Sequence, residues 1–232
     1  MEFDKQKVKK LEQEIEVEFE NEELLKRALT HKSYSNENRN QNLKNNERLE
    51  FLGDAILDLV ISEYIFDKYS EHPEGELAKI RSVVVSAPVL AEKSKEINLG
   101  NYLLLGKGEE ITGGRKRDSI LADAFEALVG SIYLDQGLET VRKFILELLT
   151  ADIMTVEAGE HIQDYKTLLQ ELIQQNSNSR PEYSVVKEEG PDHNKEFTVQ
   201  VIFEDEVLGV GIGSSKKEAQ QKAAKNAIKK IQ

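Results

Sequence analysis

No cysteine occurs in the 232 residues. That absence removes disulfides, thiolate zinc sites, iron-sulfur clusters and thiol nucleophiles together, and it suits a reducing compartment. Long apolar runs are missing too. Stretches such as residues 83–85 and 87–91 fall far short of a membrane span, and residues 1–10 lack the apolar segment of a secretory signal. The expectation is a cytoplasmic protein without membrane association. Histidine is scarce: His31, His72, His161 and His193 are scattered among loops and helix ends, so neither a histidine metal site nor a serine-histidine pair assembles from spacing. Positive charge is in deficit, with 31 lysines and arginines against 43 aspartates and glutamates, a net charge of -12. Taken alone, that argues against a polyanionic partner.

The distribution of charge qualifies this. Residues 214–232 hold six lysines against one glutamate, and residues 106–118 carry Lys107, Arg115, Lys116 and Arg117. A chain with an acidic total and two basic segments is able to hold a polyanion at the basic places and a cation at an acidic one.

A length of 232 residues accommodates one large domain or two modest ones, at roughly 100 to 200 residues each. Apolar spacing predicts helices over residues 5–19, 22–30 with Asn21 as cap, 47–69, 75–85, 87–97 with Ser86 as cap and Pro88 in the first turn, 119–134 and 138–153. The asparagine-rich stretch 36–46 and the glycine-rich stretch 106–118 read as loops. The latter has the four-residue gap of a phosphate-binding loop between Gly108 and Gly113, but Gly114 and Arg115 stand where lysine and a hydroxyl residue are required, which excludes that reading.

Near residue 158 the period changes. A helix over 162–175 is followed by alternating runs: Phe197, Val199, Val201 and Phe203 share one strand face, as do Leu208, Val210 and Ile212. Turns at 190–192 and 204–206 make a meander, and a last helix over 215–231 is expected to bury Ala219, Ala223, Ala224, Ala227, Ile228 and Ile231. The fold class expected is an all-α N-terminal domain plus an α+β domain of order α-β-β-β-α, with boundaries at 1–156, a linker at 157–161, and 162–232.

Glu47, Glu50, Asp54 and Asp58 fall within a stripe ~80° wide on the helix over 47–69. A solvated face is one reading of such a stripe. Asp123 and Glu126 sit differently, on a helix whose other residues, Leu121, Phe125, Leu128, Val129 and Ile132, are apolar nearly all round. Such a helix is buried, so its carboxylates are buried or line a cleft and require a partner. No lysine or arginine within the two helices is spaced to neutralise them, whereas a divalent cation with oxygen ligands is able to do so. Carboxylate ligands without histidine or thiolate suit magnesium, with manganese as substitute. Gly53 and Gly130 would let the helices approach closely.

The contiguous run Asn46, Glu47, Arg48, Leu49, Glu50, Phe51, Leu52, Gly53, Asp54, Ala55, Ile56, Leu57 resembles the signature of the ribonuclease III family of double-strand-specific endoribonucleases. The resemblance continues through residues 28–34, Glu74 with its following glycine, Gly113, Gly114 and Arg115, and the run 121–127. It implies a helical catalytic domain that forms a homodimer, with a metal centre near each end of a valley. Glu50, Asp123 and Glu126 would be magnesium ligands, with Asp54 binding or orienting the metal-linked water, and Asp54 and Glu126 the catalytic pair. Glu47 and Glu74 take accessory acidic positions, toward RNA, the partner subunit or structure alone. Asp58 receives no role.

The C-terminal part resembles a double-stranded RNA-binding domain, its opening helix in residues 164–171 and its closing helix in Lys216, Lys217, Glu218, Ala219, Ala223 and Ala224. Thr167, Gln170, Glu171 and Gln174 form a polar helical face suited to ribose hydroxyls in an A-form minor groove, or simply a solvated one. His193 matches a loop reaching the next minor groove. Lys216 and Lys217, cations at a helix start, call for a phosphate. Gly113, Gly114 and Arg115 are read as a backbone contact to RNA. The implied function is magnesium-dependent hydrolysis of double-stranded RNA to 5′-phosphate and 3′-hydroxyl ends with short 3′ overhangs, in processing of ribosomal RNA precursors and other structured transcripts. The rivals are a catalytically silent RNA-binding protein and a hydrolase of small phosphoesters.

Overall fold

Val8, Leu11 and Ile15 recur at helical spacing and are buried along one side of α1, Lys5–Ile15. The helix stops there rather than continuing to residue 19. Glu16 takes a left-handed φ of 53°, and Val17 and Phe19 are buried from an extended segment, with the Phe19 N–H donating to Glu12 Oε1 at 2.9 Å. The computed structural model describes residues 5–41, 43–158, 165–174, 179–190, 195–204 and 206–231, in two units, residues 1–160 and 161–232.

In the first unit α2 spans Glu22–Ala28, capped by the Asn21 side chain, which accepts from the Glu23 N–H, and α3 spans Lys32–Glu37. α4 is Glu47–Lys68, α5 Glu74–Val84 and α6 Ala87–Glu96. Ser86 precedes α6 in extended conformation, but its hydroxyl donates backward to the Val83 carbonyl instead of capping the helix. The stretch 106–118 is not merely a loop: it contains α7, Lys107–Ile111, and a 3₁₀ turn, Gly114–Lys116. The polar stretch 36–46 likewise begins inside α3 and includes a 3₁₀ turn, Arg39–Gln41. α8 runs Asp118–Glu157, joining two expected helices across a kink at Gly137, whose φ of 80° suits only a residue without Cβ.

α8 packs chiefly on α4 and α6. Buried Leu57, Val60, Ile61 and Ile65 of α4 meet Leu121, Phe125, Leu128 and Ile132 of α8 in one core, each such side chain contributing ~1.5–3 kcal/mol of transfer free energy. At the crossing the two backbones touch. A Cβ added at Gly53 would overlap the Glu126 carbonyl oxygen, and one at Gly130 the Leu49 carbonyl oxygen.

The second unit comprises α9, Tyr165–Gln174, the strands β1, Glu182–Glu189, β2, Glu196–Phe203, and β3, Glu206–Gly213, and α10, Lys216–Ile231. The strands form an antiparallel sheet in sequential order, with Val185 opposite Val199 and Val199 opposite Gly211. Val199 and Val201 are buried against Leu169 of α9 and Ala223, Ala224 and Ala227 of α10. On β3 the face toward α10 is the glycine face: Cβ atoms at Gly209, Gly211 and Gly213 would strike the helix backbone. Val210 and Ile212 are therefore exposed, and Ile231, expected in the core, is 48% exposed. Residues 159–164, most of the expected linker and the start of the next helix, lie outside the described residues, as do residue 175 and the expected turn at 191–192.

Candidate active site and nucleic-acid interface

Because α4 and α8 meet at glycine, the carboxylates flanking the contact are brought together. One oxygen from each of Glu50, Asp123 and Glu126 lies within 4.8 Å of the other two, all three residues being half-buried. Among the described residues, no lysine or arginine forms an ion pair with any of them. Leu49 and Ala127, the chain neighbours of Glu50 and Glu126, form a small buried cluster with Ala28.

The electrostatics follow from that crowding. Burial pushes the Glu126 carboxyl up to about 8, and the charges of Asp54, Glu50 and Asp123 add to the effect. Glu50 is raised first by burial and then by Asp123, Glu47 and Asp54, with Lys32 opposing. Asp123 is raised by burial, against His31 and Lys32. Like charges crowded in a half-buried cleft are an arrangement that a bound cation would relieve. The donors also fit magnesium: at metal–oxygen distances of ~2.1 Å, octahedral ligands stand roughly 3–4 Å apart, within small side-chain adjustments of the 4.8 Å limit here.

The other acidic residues are spread around this cluster. Asp54 is exposed on α4 one turn beyond Glu50, near enough for its charge to act on Glu126. Glu47 is exposed, accepts from Asn45 Nδ2 at 3.0 Å, and pairs with Lys32 at 3.4 Å. Glu74, at the start of α5, is not part of the cluster and lines a groove with Phe66, Leu77 and Arg81. Asp58 is locally paired with Arg81 at 3.7 Å. What spacing alone does not reveal is that His31 and Lys32 face the acids. The signal lay in residues 28–34, where the resemblance continues without assigning a role.

Gly113 adopts a left-handed φ of 79°, and Gly114 is buried against Glu109. The Arg115 guanidinium donates to the Gly100 and Leu103 carbonyls and pairs with Glu110 at 2.6 Å. It therefore ties the loop to the domain.

On α9, Thr167 and Gln174 are exposed and Gln170 is half-buried. The Glu171 side chain and His193 lie outside the described residues. At the start of α10, Lys216 Nζ pairs with Glu188 at 2.6 Å and sits over the Phe197 ring at 5.5 Å, while Lys217 is exposed. Glu218 is held down to about 2 by Lys222 and Ser214, and its N–H donates to the Ser215 hydroxyl at 3.2 Å, closing the helix start.

A ribonuclease-III-like family model matches residues 21–153, and a double-stranded RNA binding motif matches 165–231. A helical domain with an all-oxygen acidic centre, followed by that motif, defines a two-domain RNA hydrolase. The chain is 47% identical to ribonuclease 3 of Oceanobacillus iheyensis, over 97% of this chain and 98% of that one. It is 49% identical to ribonuclease 3 of Bacillus cereus strain G9842, over 96% and 91% respectively. Among solved structures, the nuclease domain of ribonuclease III from Campylobacter jejuni, described with a region involved in dimer formation, is 43% identical with a TM-score of 0.58, covering 62% of this chain and 96% of that one. The chain belongs to the ribonuclease III family, the endoribonucleases of double-stranded RNA.

Proposed function

We propose that Glu50, Asp123 and Glu126 together hold a magnesium ion, with manganese as substitute, and that Asp54 and Glu126 are the catalytic pair. The observation that carries this is the set of three carboxylate oxygens within 4.8 Å, without a basic partner among the described residues. Bound there, magnesium supplies a polarised water and neutralises charge on the phosphate oxygens. The protein's own groups do the rest. Glu50, Asp123 and a deprotonated Glu126 would hold the cation, and Asp54 would orient the attacking water by accepting its hydrogen bond. The water oxygen bonds to phosphorus as the bond to the 3′ oxygen breaks, the water gives a proton to solvent and the departing 3′ oxygen takes one up, leaving 5′-phosphate and 3′-hydroxyl ends with no protein nucleophile.

Two such sites in a homodimer, cutting opposite strands, leave short 3′ overhangs. Support for the dimer comes from α4. Phe51, Leu59 and Phe66 are 80%, 54% and 69% exposed and share a face ~80° wide beside the acidic stripe, an apolar strip of the kind that marks a protein contact. In the second unit, Thr167, Gln170, Glu171, Gln174 and His193 are assigned to the minor groove and Lys216 and Lys217 to phosphates, giving recognition by duplex shape. Gly113 offers backbone to RNA, with the buried Gly114 and Arg115 securing the loop, and Glu47 and Glu74 are accessory. The setting is cytoplasmic processing of ribosomal RNA precursors and other structured transcripts; among the described residues no helix is long and apolar enough to cross a membrane.

Incubating the protein with duplex and single-stranded RNA, with magnesium and with chelator, tests this reading. Duplex cleavage in magnesium alone is expected, and Glu126→Gln should abolish it while leaving duplex affinity nearly intact. Undiminished cleavage in chelator, or by the glutamine variant, refutes it.

A further inference from the structure

We infer that Lys32 is a further catalytic residue, its ammonium moving from Glu47 to a non-bridging oxygen of the phosphate held over the carboxylate cluster. The inference rests on the metal-centre reading above.

The backbone that presents Lys32 is fixed on both sides. The His31 N–H donates to the Leu104 carbonyl at 3.1 Å, the Leu104 N–H to the Leu29 carbonyl at 2.8 Å, and the Asn46 N–H to the Thr30 carbonyl at 2.9 Å. The His31 ring, 8% exposed, is pinned through Nδ1 to the Ser33 hydroxyl at 2.8 Å. The Ser33 hydroxyl in turn accepts the Gly106 N–H at 2.9 Å. Lys32 thus has an anchored root and a side chain that is 59% exposed, ending 3.4 Å from Glu47 Oε1.

Its charge reaches the cluster, acting on both Glu50 and Asp123. Other cations of the same unit are held by partners of their own: Arg115 by the Gly100 and Leu103 carbonyls, Arg117 by Glu109, and Lys95 by Glu92 and Asp118. An exposed pair of this length contributes little to stability. A phosphate oxygen offers the same ammonium a shorter, charge-assisted bond, at the place where charge develops during attack. Glu47 then acts as the resting holder of Lys32, which gives that accessory acid a reason to stand in the first turn of α4.

The test is single-turnover cleavage of a duplex RNA across a magnesium titration, with Lys32→Ala and Lys32→Arg. Alanine is expected to lower the maximal rate constant on the order of 10-fold or more. It should also tighten the magnesium half-saturation by about 2-fold, because a positive charge beside the carboxylates has gone. Arginine should restore most of the rate, and duplex affinity measured in calcium should stay within about 3-fold. A structural defect would weaken magnesium binding instead. An alanine variant with wild-type maximal rate, a loss confined to RNA affinity, or weaker magnesium binding alongside the slower rate overturns the inference. Wild-type protein indifferent to magnesium sinks the metal-centre reading first, before any variant is compared.

Discussion

Replacing Glu126 by glutamine should stabilise the metal-free protein, and by an amount that depends on pH. The carboxyl has its ordinary value of 4.5 in the unfolded chain and about 8 in the folded one. Between those limits the folded state keeps the proton and the unfolded state releases it, so stability is full below pH 4.5 and is lost as pH rises to about 8. Roughly three and a half units at 1.36 kcal/mol each set a ceiling of about 5 kcal/mol. Glu126 is only half-buried, so solvent screening reduces this to about 2 kcal/mol. Glutamine has the shape of the protonated acid and no such cost. In chelator, melting followed by circular dichroism should show equal stabilities near pH 4.5, with the variant ahead by roughly 4–8 °C above pH 8. Magnesium should narrow the gap by binding only the wild-type site well. A difference that does not change with pH, or a wild type more stable at alkaline pH without metal, would show that the cluster is not desolvated as described.

Two further outcomes follow from the packing and the ion pairs. Gly53→Ala places a methyl group on the Glu126 backbone, so it should cost ~1–3 kcal/mol and weaken magnesium binding as the helices separate; a melt and a metal titration both matching wild type would contradict the close crossing. Lys217→Ala should flatten the salt dependence of duplex binding by roughly 0.7–0.9 log units for each phosphate the lysine neutralises. Lys216→Ala should do less, since Glu188 already holds that ammonium; equal slopes for both variants in a filter-binding series would remove the distinction.

The long helices were legible because their periodicity is sustained, α4 ending within a residue of its expected limit at Lys68. The end of α1 was harder. Apolar positions 8, 11 and 15 give way to 17 and 19, a switch from helical to alternating spacing over too few residues to register. α7 has five residues, too short to be favoured by local propensity. Its first residue is held from a distance, the Lys107 N–H donating to Glu37 Oε2 at 2.9 Å. Asp123 and Glu126 stood out because acids on an otherwise apolar helix require a partner, whereas Glu50 was set apart from its acidic stripe only by the family resemblance. Lys32 did not stand out, because its position beside them depends on the backbone hydrogen bonds of residues 29–31 with residues 46 and 104, which no local pattern encodes.

Gly209, Gly211 and Gly213 press β3 directly on the backbone of α10, while Val210 and Ile212 between them face outward. A saturation scan over residues 209–213 should therefore read as an alternation, with no replacement accepted at 209, 211 and 213 and broad tolerance at 210 and 212. The usual rule that bulky aliphatics mark the essential face is inverted here: what the helix cannot do without is three missing side chains.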